Sequence, residues 1–151
     1  MDTRERMDKD FIGAVKARDA FAVSVLRMLR AALKNAEIEK MSALVEDDVV
    51  DVIAKEIKKV KDSLESFESA GRADLADKAR QEIEIISRYQ PTQLTDDEIR
   101  TVIKKVIADF SGDGTANFGQ IMSSVTKETK GRAAGAKVSQ LVKEELSSTA
   151  S

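Results

Sequence analysis

Five cations crowd one stretch near the C-terminus: Lys127, Lys130, Arg132, Lys137 and Lys143. A single acid, Glu128, stands among them, so the local balance is +4 in a chain whose formal net charge is −2. Gly131 and Gly135 open the backbone at the centre of the stretch. Gly135-Ala136-Lys137 reads as the start of a helix, where unsatisfied N–H groups and the helix dipole favour an anion. Cationic side chains beside free N–H groups are the elements of a phosphate site. The candidate RNA- or phosphate-binding residues are therefore Lys127, Lys130, Gly131, Arg132, Gly135 and Lys137. Arg132 can fork onto two oxygens, which a lysine cannot. The competing reading is a solvated helix-turn-helix corner. A second basic row, Arg27, Arg30 and Lys34 at i, i+3, i+7, reads as an ordinary solvated helix face.

Covalent chemistry is poorly provided for. There is no His and no Cys. That removes the commonest general base, the Ser-His and Cys-His couples and most zinc sites. Serines and lysines are plentiful, but no nucleophile elbow accompanies them. Gly112-Asp113-Gly114 invites a calcium reading, yet it lacks the spaced carboxylates and final Glu of an EF-hand loop. No Gly-Lys-Ser/Thr follows it, so it is not a phosphate loop either. No catalytic residue, metal site or cofactor is expected.

The elements that must carry these residues are helices. Of the 151 residues, 42% are hydrophobic and 34% charged, with almost no aromatics, which suits helices with narrow apolar faces. The periodicity predicts a first helix over Thr3–Arg18, with Met7, Phe11, Ala14 and Val15 on one face. Asp19 caps a second helix, Ala20–Lys40, with Val25, Leu26, Met28, Leu29, Ala32, Leu33 and Ala36 inward. Met41–Glu46 is a loop. A third helix, Asp47–Ala70, carries Val50, Ile53, Ile57, Val60, Leu64 and Phe67 as an a/d seam. That seam is either a dimer interface or the core face of a helix packed within its own chain. Gly71 breaks to a fourth helix, Asp74–Tyr89, antiparallel to the third, with Leu75, Ala79, Ile83 and Ile86 inward.

Pro91, the only proline, stops that array. Thr95 and Glu98 form a capping box for a fifth helix, Asp96–Asp109, striped with Ile99, Val102, Ile103, Val106, Ile107 and Phe110. Ser111–Ala116 is the loosest stretch. Asn117 caps a sixth helix bearing Phe118, Ile121, Met122 and Val125, and Gly131 ends it. Gly135 precedes a seventh with Val138, Leu141, Val142 and Leu146. The expected class is all-α and multihelical. N-terminal helical hairpins fill a domain over 1–92 and a three-helix domain spans 93–147. The tail at 148–151 is expected to fray, together with Ser147 before it. No apolar run approaches the roughly 20 residues that span a bilayer, and no signal-peptide pattern follows the charged N-terminus. A cytoplasmic protein off the membrane, monomeric, is the expectation.

An ordered set of short motifs is similar to the GatB/YqeY family. Gly119-Gln120-Ile121-Met122, Lys130-Gly131-Arg132-Ala133, Gly135 and Val138-Ser139-Gln140-Leu141-Val142 resemble its C-terminal tail. Leu26-Arg27-Met28-Leu29-Arg30-Ala31-Ala32-Leu33-Lys34-Asn35 and Ala70-Gly71-Arg72-Ala73-Asp74-Leu75-Ala76 resemble the stand-alone YqeY-type members. Tyr89-Gln90-Pro91-Thr92-Gln93-Leu94-Thr95 is similar to their joint. The likeness covers about residues 1–147. Gln90 replaces a usual Leu, Val45 a usual Ser or Thr cap, and Ala134 a usual Asp.

The resemblance implies a two-part helical protein related to the GatB component of the glutamyl/aspartyl-tRNA amidotransferase, whose equivalent tail contacts tRNA. It also implies a family label of carbon–nitrogen ligase activity with glutamine as amide donor. That reaction needs a glutaminase nucleophile, an ATP and Mg²⁺ site and a path for ammonia, and the residues here offer none of them. Two readings follow. One is a non-catalytic accessory module that binds tRNA or is associated with amidotransferase or tRNA synthetase proteins. The other is a helical protein–protein adaptor using the Val50–Phe67 seam or the second helix.

Overall fold

The computed structural model describes residues 2–110 and 117–149. The stretch 111–116, the loosest by composition, lies outside the described residues. Among the described residues there are seven α-helices and no strand, so the chain is all-α and multihelical. It divides into two compact units, Met1–Gln90 and Pro91–Ser151. No helix among the described residues is long and apolar enough to cross a membrane.

The first unit holds α1 (Thr3–Lys16), α2 (Ala20–Lys40), α3 (Glu46–Ser69) and α4 (Ala73–Ser87). Asp2 and Glu5 cap α1 reciprocally, the Glu5 N–H donating to Asp2 Oδ1 at 2.8 Å and the Asp2 N–H to Glu5 Oε2 at 3.2 Å. The helix ends at Lys16, two residues short of Arg18, because the chain must reverse before the Asp19 cap of α2. Arg18 makes that reversal with a left-handed φ of 56°. Such a conformation costs a side-chain-bearing residue roughly 1 to 2 kcal/mol. Val45 offers no acceptor to α3. The Asp48 carboxylate compensates partly by accepting the Val45 N–H at 2.9 Å. Between α3 and α4, Gly71 takes φ +71°, and the Arg72 N–H reaches back to the Phe67 carbonyl at 2.9 Å. This is the left-handed helix stop that glycine supplies without strain.

The core of this unit gathers Met7, Leu26, Leu29, Leu33, Ile53, Ile57, Ile86 and their neighbours. The seam of α3 is spent here, closing the unit's own core. It starts at Val49, which is buried, while Val50 is only half-buried. The one-residue shift follows from a 3.6-residue turn facing a broad core rather than a strict heptad partner. Val15 and Met28, expected inside, are exposed, and Ala76, not expected, is buried.

The second unit holds α5 (Asp96–Phe110), α6 (Phe118–Glu128) and α7 (Gly135–Thr149), each packed on the other two. Its core is Ile99, Ile103, Val106, Ile121, Val125, Val138, Leu141 and Val142. At Thr95 the Glu98 N–H donates to the Thr95 hydroxyl oxygen at 3.2 Å, and that hydroxyl donates to the Glu98 carboxylate at 3.1 Å. Glu98 thus meets the Thr95 side chain, where the sequence suggested its backbone N–H. Asn117 and Gln120 cap α6 reciprocally. Phe118 lies exposed at the start of α6 rather than on its apolar face. Helix α7 continues through Ser147 to Thr149, where the sequence suggested fraying.

Candidate nucleic-acid interface

The basic stretch forms the turn between α6 and α7. Lys127 sits in the last turn of α6, exposed. Thr129 closes that helix. Its N–H donates to the Val125 carbonyl at 2.9 Å and its hydroxyl to the same oxygen at 2.8 Å, so this buried polar side chain is satisfied. Lys130 follows, exposed. Gly131 takes φ +75°. The chain turns back there, and the Arg132 N–H donates to the Thr129 carbonyl at 2.8 Å.

This turn is pinned from outside. The segment leading into α5 runs alongside it, and the Leu94 N–H donates to the Arg132 carbonyl at 2.8 Å. The Gln93 amide donates to the carbonyls of Gly131 and Pro91, each at 2.9 Å. Arg132 returns the contact, its Nε donating to the Thr92 carbonyl at 3.2 Å. Backbone groups that would otherwise go unpaired at a helix–helix corner are thus satisfied by residues some forty positions away. The result is a cationic turn of fixed shape.

The six candidate residues share this corner but are not equivalent. Lys127 and Lys130 present charge from its α6 side. Arg132 has its Nε committed to Thr92, which fixes the plane of its guanidinium. Lys137 faces Asp96 across an ion pair of 3.3 Å, which offsets one of the cations counted along the chain. The fifth cation, Lys143, lies with Nζ 5.8 Å from the centre of the Phe118 ring, a cation–π contact at the surface. Gly135 begins α7, and a Cβ built there would meet nothing within 4 Å. Its backbone is therefore approachable, but its conformation does not demand glycine. The first N–H groups of α7 have no carbonyl of their own helix to bind.

Sequence reasoning missed the partners of the turn. Thr92, Gln93, Leu94 and Asp96 read, along the chain, only as a joint and a cap. The one available signal was the Gln93 amide, a double donor just after a proline. The chemistry open to the corner is electrostatic capture of an anion. No group of three or more His, Cys, Asp or Glu suited to a metal is present among the described residues.

Comparison with known proteins places the chain among relatives. The family model described as Yqey-like protein matches residues 4–146. A protein of Pyrenophora tritici-repentis named altered inheritance of mitochondria protein 41, mitochondrial, is 26% identical over 131 residues, 85% of this chain and 71% of its own. A protein of the same name from Candida glabrata is 33% identical over 85 residues, 55% of this chain and 47% of its own.

Proposed function

This chain belongs to the family of YqeY-like proteins, and from that premise we propose that it is a non-catalytic module that binds structured RNA, tRNA above all. The observation that carries the reading is the pinned cationic turn, with Lys127 and Lys130 beside a left-handed Gly131. A turn held by Leu94, Gln93 and Thr92 needs little reordering on binding, which limits the entropic cost. The resemblance to the GatB tail of the amidotransferase supports tRNA as the ligand and an amidotransferase or tRNA synthetase as its setting. The cytoplasm is the compartment this reading proposes, whereas the two fungal relatives are named as mitochondrial.

The adaptor reading loses its seam, because Ile53, Ile57 and Val60 are buried in the core of the first unit. The affinity expected from a few phosphate contacts is weak and salt-sensitive, on the order of micromolar or weaker. The test is fluorescence anisotropy of a labelled tRNA transcript. Lys127→Glu with Lys130→Glu should abolish binding through the corner while leaving the circular dichroism spectrum unchanged. Binding unaltered by that pair would show that the corner is a solvated turn.

A further inference from the structure

The basic row on α2 does not stand alone. Helix α1 brings Arg4 and Asp8 against it, and between the two helices lies a surface hollow of about 420 Å³. Four cations line this hollow, Arg4, Arg27, Arg30 and Lys34, with one carboxylate, Asp8. Its inner wall includes Leu33, which is 2% exposed and belongs to the core, so the wall is firm.

Two of the four cations are held in place. Arg30 donates from Nε to Asp8 Oδ1 at 2.9 Å, and its guanidinium carbon lies 4.3 Å from the centre of the Phe11 ring. Arg4 pairs with Glu37 at 2.8 Å. Each pairing joins α1 to α2, so the charges are set before any ligand arrives. The other two, Arg27 and Lys34, are exposed, and neither enters an ion pair among the described residues. Counting Asp8 and Glu37 against the four cations leaves an excess of two positive charges. The chain as a whole carries a formal net charge of −2.

From these observations we infer that the α1–α2 hollow is a binding site for the phosphate backbone of RNA. Its length favours several phosphates over one. Residues 27 to 34 span about 10 Å along the helix axis. That distance reaches more than one phosphate along a nucleic-acid strand. Fixed guanidinium groups suit phosphate oxygens because they approach in a planar fork. An acidic protein partner is less well served, since the lining offers no exposed aromatic or large aliphatic anchor. This inference does not rest on the α6–α7 corner, which lies in the other unit.

The experiment titrates the full-length chain into a labelled, mixed-sequence RNA hairpin at about 50 and about 200 mM salt. Three proteins are compared: the native chain, Arg27→Glu with Lys34→Glu, and Lys127→Glu with Lys130→Glu. Circular dichroism confirms that each keeps its helicity, and Arg27→Gln with Lys34→Gln serves as a milder pair. The hollow variant should bind at least about tenfold more weakly at the lower salt, with a salt slope smaller by about two, one per lost phosphate contact. If only the Lys127 and Lys130 pair weakens binding, the hollow inference falls and the corner reading stands. If only the Arg27 and Lys34 pair does, the corner reading falls and the hollow stands. No RNA binding by the native chain overturns both. Inorganic pyrophosphate and polyglutamate are the competitors. Displacement of RNA by either at equal charge concentration would overturn the assignment to an RNA backbone.

Discussion

The Tyr89 hydroxyl donates to Asp10 Oδ2 at 2.7 Å, fastening the chain just beyond α4 to the middle of α1. Arg6, one turn earlier on α1, lies 5.3 Å from the centre of the Tyr89 ring and donates from Nη2 to the Arg88 carbonyl at 2.7 Å. The first and last helices of the first unit are thus joined through a side chain that is 3% exposed. Removing the hydroxyl by Tyr89→Phe should lower the stability of that unit by about 1 kcal/mol, the worth of one such bond. Denaturant unfolding followed by helicity reads this, and an unchanged midpoint would show the bond to be idle.

The same contact makes an alkaline prediction. Burial, then the hydrogen bond to Asp10, pushes the Tyr89 phenol well above its ordinary value of 10.0. Folding therefore favours the neutral phenol. That contribution is fully present below about pH 10, the unfolded value, and is lost as pH rises above it. Tyr89 is the only tyrosine, so ultraviolet absorbance of tyrosinate reports this one site. Ionisation should lag behind that of the urea-unfolded chain and coincide with loss of helicity in the first unit. Titration at the free-tyrosine value with helicity intact would contradict the linkage.

Ile103→Asp should unfold the second unit and spare the first. Ile103 is fully buried at the centre of a core that shares no residue with that of the first unit. A carboxylate there costs on the order of several kcal/mol. Circular dichroism should fall by the share of α5, α6 and α7, while the tyrosine absorbance stays native. A single cooperative loss of all helicity would show that the two units stand or fall together.

Gly131 and Gly135 should respond oppositely to alanine. Gly131 has φ +75°, so Gly131→Ala should cost the second unit roughly 1 to 2 kcal/mol. Gly135 opens α7 with empty space where a Cβ would stand, so Gly135→Ala should be neutral or slightly stabilising. If RNA approaches the backbone there, Gly135→Ala weakens binding without a stability change. Equal destabilisation by the two substitutions would contradict the difference in backbone geometry.

The purified chain should release no ammonia from glutamine and perform no ATP-dependent amidation. The reasons are the absent His and Cys and the lack of a phosphate loop. Ammonia above a buffer blank, abolished by a point substitution in this chain, would overturn this.

The helices and several of their starts were legible from residue order, because the forces that set them act within one turn. Asp19, Thr95 and Asn117 cap through neighbours three positions on, and Gly71 turns the chain by its own backbone freedom. The basic stretch at 127–143 was likewise visible as charge along the chain. What that charge can do was decided elsewhere. Asp96 pairs with Lys137, Thr92 takes the Nε of Arg132, and Arg4 closes a hollow over a row that looked like plain solvated surface. The shift of the α3 seam to Val49, and the exposure of Phe118 and Met28, have the same origin. Periodicity states that a helix has an inner face, but the width and direction of that face are set by the helices packed against it. Those contacts join residues tens of positions apart, and no local rule of spacing encodes which pairs will meet.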